Sequence, residues 1–323
     1  MASNKNIVGL TPETSDQIGL ILFHGGCPDG NAAASCFYIQ NPNRDFIGVF
    51  HGSKPDLERI KDQHVAIVDF TYQRDDMINI CLNAKTVVVL DHHKTGFERL
   101  AGLENEMSNL VTVFDEQRAG GQIAWDWIFP AHNDDRPQYI DVISDRDLWK
   151  FSLSYTKALC AGLYLREYTS SYVKLAQLFY MEKECHEYLP NGLLKCYEQL
   201  HHDGEIVLEI DRQYCRRVMF KGVKRQYYYN NEMRNIMIYS NVDYSKRSEL
   251  GEITFTHHTE CDIAIFFDYE YEKEIWNVSL RSRAGLDIEP IAKAYGGGGH
   301  PNAAGFILPF GISPKGFFGS DDD

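Results

Sequence analysis

IGLILFHGGCPDGNAAASCFYIQ (residues 18–40) reads as a buried strand ending at a histidine, then a Gly-Gly turn, then a helix rich in small residues. Short apolar runs bounded by glycine mark strands covered on both faces. The pattern recurs downstream. HVAIVDF (64–70) is a second such strand, followed by the helical stretch RDDMINICLNA (74–84), and KTVVVLDHH (85–93) is a third. GGQIAWDWIF (120–129) reads as a helix, and YIDVISDRDLW (139–149) as a further element ending in acids. Strand–helix alternation implies βαβ units and a parallel sheet. The N-terminal part therefore predicts an α/β, Rossmann-like fold.

Working outward, residues 155–220 are mostly helical in pattern, with a break at LPNG (189–192) and a connecting helix at GEIVLEIDRQYCRRVMF (204–220). After residue 222 the strand-like runs RNIMIYSN, CDIAIFFDYE and IWNVSLRS appear. IEPIAKAY (288–295) is helical, GGGGHPNAAGFIL follows, and the polar tail GSDDD reads as frayed. The expected organisation is an N-terminal parallel-sheet domain over 1–190, a helical linker over 191–221, and a smaller α/β domain with a mixed sheet over 222–323. KRQYYYNN reads as a β-hairpin or an interface cluster of aromatics ahead of a base-stacking patch.

The 323 residues fit two domains, and 44% hydrophobic with 24% charged residues excludes a disordered or collagen-like chain. The net charge of −14 repels polyphosphate backbones, so tight binding to long duplex nucleic acid is not expected. MASNKNIVGLTPETSDQ (1–17) lacks a signal-type apolar core, and no apolar run reaches about 18 residues. No membrane span is expected, and the cytoplasm is the default location. Eight cysteines without a CxxC pair read as reduced thiols rather than a disulfide frame.

The polar residues that carry chemistry cluster at strand ends. His24, Asp69, Asp91 and His92 each close an apolar run, and Asp29 lies in the turn into the first helix. Ligands of open parallel sheets bind outside the strand C-termini. Asp145 adds a further carboxylate after IDVIS. Clustered carboxylates repel one another unless a cation neutralises them, and Asp/His donor sets suit Mn²⁺ or Mg²⁺. Taken singly, each strand-end Asp is more often a helix cap than a ligand. Asp147 reads as a cap or ion-pair partner, and the pairs His201/His202 and His257/His258 are given no role.

HGGCPDGNAAA (24–34), VDF (68–70), LDHH (90–93) and SDRDLW (144–149) resemble, in order, the four motifs of the DHH phosphoesterase superfamily. SLRSRAGLDIEPIAKAYGGGGHPNAAGF (279–306) resembles the C-terminal DHH-associated domain. The match is nearest to the short two-domain members, the oligoribonuclease-like, pAp-phosphatase-like and cyclic-dinucleotide phosphodiesterase-like proteins. The resemblance implies two Mn²⁺ ions, with Mg²⁺ or another divalent ion as substitutes. It places His24, Asp29, Asp69, His92 and Asp145 as metal ligands, with Asp69 bridging. Asp91 would orient a ligand and His93 would face the substrate phosphate. His300 with Gly297, Gly298 and Gly299 would form a phosphate-binding loop, and Arg281 and Arg283 would hold the substrate. In many members an acid stands where Cys27 is found here. Cys27 is either a thiolate ligand, since a dication can deprotonate a coordinating thiol, or an inert turn residue.

The expected activity is hydrolysis of short oligonucleotides by two-metal activation of water, as a 3′-to-5′ exonuclease releasing 5′-mononucleotides. Asp69, Asp91, His93 and His300 are the expected catalytic residues. The alternatives are a phosphatase or phosphodiesterase for pAp or for cyclic or linear dinucleotides, a polyphosphatase, and a non-catalytic nucleotide-binding protein. A homodimer is compatible with the sequence.

Overall fold

The computed structural model describes residues 11–50, 52–309, 311–312 and 318. The first ten residues of the polar N-terminal stretch and the GSDDD tail (319–323), read above as frayed, lie outside the described residues. The chain divides into two compact units, Met1–Leu208 and Glu209–Asp323. The division falls inside one helix, Glu198–Met219, which covers most of the segment expected as a linker.

The first unit is built on five parallel strands: β1 (Leu20–His24), β2 (Asp45–Val49), β3 (His64–Val68), β4 (Thr86–Asp91) and β5 (Leu110–Phe114). Their order is β2-β1-β3-β4-β5, a doubly wound arrangement that reverses direction between β1 and β3. Sequence reading found β1, β3 and β4 but not β2 or β5. Those two lie at the sheet edges and carry half-buried rather than continuously apolar patterns. The three central strands are buried on both faces, which explains their unbroken apolar runs. One face packs the helices Pro28–Gln40, Gly120–Ile128 and Gln138–Asp147 in a core that includes Phe37, Trp125 and Tyr139. The other face packs Met77, Ile80 and Leu103 against Ile67 and Val89.

YIDVISDRDLW is a helix, Gln138–Asp147, so Asp145 and Asp147 sit on helical backbone and not at a strand end. Residues two apart on a helix point about 200° away from each other, so only one of these acids can face a given site.

The second unit is a six-stranded mixed sheet. Its strands are β6 (Val223–Tyr229), β7 (Glu232–Ser240), β8 (Ile263–Glu270), β9 (Ile275–Ser282), β10 (Gly298–His300) and β11 (Ala303–Pro309). The order is β10-β11-β9-β8-β7-β6, and only the β7–β8 pair is parallel. KRQYYYNN forms the β6–β7 hairpin. Asn230 and Asn231 both adopt positive φ, 54° and 62°, as a tight hairpin turn requires. Tyr227 and Tyr229 alternate inward onto the core and Tyr228 outward, so the run reads as strand periodicity. The GGGGH segment is not an open loop. Gly298–His300 pairs with Ala303–Gly305 as an edge strand, and a Cβ at Gly297 would lie 2.1 Å from the Gly305 carbonyl oxygen.

Candidate metal centre

The site assembles where β1, β3 and β4 end, at the point where strand order reverses. His24 closes β1, and the Gly25–Gly26 turn delivers Cys27 as the residue capping the helix Pro28–Gln40, with Asp29 in its first turn. Asp69 follows β3 with φ of 62°, a left-handed conformation that aspartate tolerates better than most residues. Asp91 closes β4, and His92 and His93 follow it.

Asp69 is 1% exposed and stands at the centre. Its Oδ1 lies 3.2 Å from His92 Nε2, and its Oδ2 lies 3.4 Å from His24 Nδ1. His24 Nδ1 and Asp69 Oδ2 are buried and make no hydrogen bond. His92 Nε2 also lies 3.9 Å from Asp29 Oδ2 and 3.5 Å from Asp147 Oδ2. Three overlapping groups of donor atoms result among the described residues, Asp69–Asp91–His92–His93, His24–Cys27–Asp69 and Asp29–His92–Asp147, each with its atoms within 4.8 Å of one another. The short Asp69–His92 contact links them.

The surroundings hold these donors in place. Asp29 Oδ2 accepts from the Gly120 amide at 2.5 Å and Oδ1 from the Gly121 amide at 3.0 Å, so the N-terminus of the helix Gly120–Ile128 fixes this carboxylate. Gly120 has to be glycine, because a Cβ there would stand 2.8 Å from Asp69 Cβ and 2.9 Å from Asp29 Oδ2. Asp91 is fully buried and accepts from Thr71 Oγ1 and from the amides of His92 and His93, at 2.7, 2.8 and 3.2 Å. Its Oδ1 also meets His93 Nδ1 at 2.7 Å, leaving the half-exposed His93 ring to present Nε2 outward.

The electrostatics follow from this crowding. Burial, then the neighbouring Asp69 and Asp147 charges, push Asp29 well above the usual carboxylate range. Burial acts on Asp69 in the same direction, but contact with His24 and His92 outweighs it and holds the acid well below that range. Burial and the Asp69 and Asp29 carboxylates drive the Cys27 thiol far up. For His93 burial disfavours the cation, yet the Asp91 hydrogen bond and the Asp91 and Asp69 charges raise it to about 9.

The residues fit a divalent cation. Buried ligand atoms at His24 and Asp69 that make no hydrogen bond, and acids whose mutual repulsion a cation would relieve, are what such an ion requires. Cys27 stands within the His24–Asp69 group.

Asp145 is not brought into either group. Its Oδ1 accepts from the Ser152 amide at 2.8 Å and Oγ at 2.6 Å, and its Oδ2 from the Leu153 amide at 3.2 Å and Thr156 Oγ1 at 2.5 Å. It ties down the start of the helix Thr156–Leu165. Asp147, read from the sequence as a cap or ion-pair partner, is the acid that faces His92. The available sequence signal was the serine and threonine spaced to receive Asp145, at positions 152 and 156.

The other residues singled out lie in the second unit. His300 is exposed on β10. Arg283 donates to the carbonyls of Cys261, Phe255, His258 and Thr259, so its guanidinium is spent on the C-terminal end of the helix Arg247–His257. Arg281 donates to Ser248 Oγ at 3.1 Å and the Leu280 carbonyl at 2.8 Å. Burial, and the nearby Arg247 cation, hold it below the usual guanidinium range. Arg247, which sequence reading passed over, is buried and donates to Ser279 Oγ at 2.7 Å. It also donates to the Val242 carbonyl at 3.0 Å and lies 3.7 Å from Asp268 Oδ2, so its charge has a carboxylate partner.

Residues 237–310 match the DHHA1 domain. An uncharacterized protein, R106, of Acanthamoeba polyphaga mimivirus is 28% identical over 312 residues, spanning 91% of this chain and 68% of the relative. Among solved structures, a pGpG-specific phosphodiesterase from Vibrio cholerae aligns with 13% identity and a TM-score of 0.44, covering 90% of this chain and 93% of its own. CDC45 from Entamoeba histolytica aligns with 8% identity and a TM-score of 0.43, covering 94% and 97%. At these TM-scores no residue role passes from either structure to this chain.

Proposed function

We propose that this chain, whose residues 237–310 match the DHHA1 domain, is a metal-dependent phosphodiesterase of the DHH superfamily that hydrolyses short oligonucleotides from a 3′ end and releases 5′-mononucleotides. The observation that carries this reading is the set of donor groups joined at Asp69, with His24 Nδ1 and Asp69 Oδ2 buried, 3.4 Å apart and without a hydrogen bond. His24, Cys27 and Asp69 would hold one divalent cation, and Asp29, His92 and Asp147 the other, with Asp69 reaching both. When bound, such ions supply charge neutralisation at phosphorus and lower the pKa of water towards neutrality.

The chain's own residues do the rest. The Gly120 and Gly121 amides fix the Asp29 carboxylate so that its orientation is set before substrate arrives. Asp91 orients His93 through Nδ1, so that His93 Nε2 carries the proton available to a phosphoryl oxygen or a departing alkoxide. Within the second unit, taken by itself, Arg281 and the exposed His300 on β10 are the side chains we assign to phosphate binding.

A side-by-side assay tests the reading. With Mn²⁺ present, 5′-labelled trinucleotides should be shortened one nucleotide at a time, faster than pAp or polyphosphate is consumed. Turnover of pAp or polyphosphate without turnover of the trinucleotide would replace the substrate assignment. Two bound Mn²⁺ with no phosphoester cleaved would leave a non-catalytic nucleotide-binding protein.

A further inference from the structure

The turn after the helix Gln138–Asp147 carries two bulky aromatics in left-handed backbone, Trp149 with φ of 56° and Phe151 with φ of 47°. Such a conformation persists only where surrounding bonds over-determine it. Here they do. The Trp149 amide donates to the Arg146 carbonyl at 3.0 Å, and the Lys150 and Phe151 amides both donate to the Asp145 carbonyl, at 2.9 and 3.3 Å. The Asp145 carboxylate holds Ser152, Leu153 and Thr156 beyond the turn. Lys150 Nζ reaches the Gln117 carbonyl at 2.7 Å, in the loop that leads to Gly120.

The product of this bracing is an indole held out in solvent. Trp149 is 60% exposed, whereas Trp125 and Trp127 are 3% and 8% exposed. The Phe151 ring meets the indole edge-on at 4.9 Å, and Lys157 lies over Phe151 at 5.1 Å, which fixes the indole plane. Two residues before it, Asp147 Oδ2 stands 3.5 Å from His92 Nε2. A braced, exposed tryptophan thus follows by two residues the acid that faces His92.

We propose that Trp149 is the platform on which an aromatic ring of the substrate stacks, so that the ligand the centre accepts is a nucleotide: a phosphate at the metal centre and a base against the indole. The proposal rests on the phosphoester reading for the phosphate only. The base is assigned from Trp149 and its braced turn.

Tryptophan fluorescence and calorimetry with Mn²⁺-loaded protein test it, using adenosine 5′-monophosphate and, as the ringless probe, ribose 5-phosphate. Adenosine 5′-monophosphate should quench the emission, ribose 5-phosphate should not, and the quench should vanish in Trp149→Phe. By calorimetry Trp149→Ala should bind adenosine 5′-monophosphate about tenfold more weakly, while Trp149→Phe stays within about threefold of the parent, as aromatic stacking on bases requires. Equal affinities for the parent and Trp149→Ala, with both folded by near-ultraviolet circular dichroism, would overturn the proposal. Phosphoester turnover measured on the same samples keeps the two readings apart: Trp149-dependent binding without cleavage would sink the enzyme assignment and sustain the stacking.

Discussion

Asp147 Oδ2 stands 3.5 Å from His92 Nε2, while Asp145, two residues earlier on the same helix, spends both carboxylate oxygens on Ser152, Leu153 and Thr156. The helix assigns one acid to the centre and the other to the scaffold. Asp147→Asn should therefore cut turnover by about a hundredfold or more with little change in unfolding midpoint. Asp145→Asn should cost about 1–3 kcal/mol of stability, because a charge-assisted network loses its acceptor. Thermal unfolding and turnover measured on both variants check this; a reversal of the two phenotypes would contradict the assignment.

Asp69→Asn keeps the left-handed backbone, since asparagine tolerates positive φ as aspartate does. The metal-free variant should fold as well as the parent. Saturating Mn²⁺ at about a hundred times its dissociation constant should stabilise the parent by about 2.7 kcal/mol for each ion bound and the variant much less. The check is the unfolding midpoint with and without Mn²⁺.

Cys27 sits with His24 and Asp69, its thiol held protonated by burial and by two carboxylates until a cation arrives. Loading the protein with Co²⁺ should produce a thiolate-to-metal charge-transfer band in the near ultraviolet, absent in Cys27→Ser. Cys27→Asp should move the metal preference from thiophilic ions towards Mn²⁺ and Mg²⁺. Competition titrations read the preference directly.

Gly120→Ala places a methyl group 2.8 Å from Asp69 Cβ and 2.9 Å from Asp29 Oδ2. Both acids must shift, so metal affinity and turnover should fall together by about tenfold or more, with a stability loss of about 1–3 kcal/mol. Unchanged Mn²⁺ affinity in this variant would mean that the two carboxylates do not need their present spacing.

His64, far from the centre at the start of β3, offers a pH test of the scaffold. Its Nδ1 lies 2.7 Å from Thr86 Oγ1, and burial with the neighbouring Lys85 lowers its pKa from 6.5. The unfolded chain therefore binds the proton first. This stabilising contribution is complete above pH 6.5 and fades as pH falls below it. His64→Asn should flatten that part of the acid decline in unfolding midpoint.

The sheet's centre was legible because β1, β3 and β4 are buried on both faces and must be continuously apolar; β2 and β5, at the edges, carry no such mark. The strand-end donors His24, Asp69, Asp91 and His92 were legible for the same reason, since a strand fixes where its last residue points. The choice between Asp145 and Asp147 was not, because it turns on helix phase and on partners at 152 and 156. The carbonyl contacts of Arg283 were not legible, because nothing local reveals that four distant carbonyls accept from it, the furthest of them 28 residues away in sequence. The glycines at 296–299 look like an anion loop in sequence, yet Gly297 and Gly299 equally serve the close packing and pairing of β10 on β11.

The most direct test is a crystal structure of the Mn²⁺-loaded protein with anomalous scattering, paired with hydrolysis of a 5′-labelled trinucleotide by the same sample. The expected result is two anomalous peaks in the first unit, one bonded to His24, Cys27 and Asp69 and the other to Asp29, His92 and Asp147 with Asp69 shared, and stepwise shortening of the trinucleotide. Peaks elsewhere, or full occupancy of both positions with every phosphoester left intact, would contradict the account.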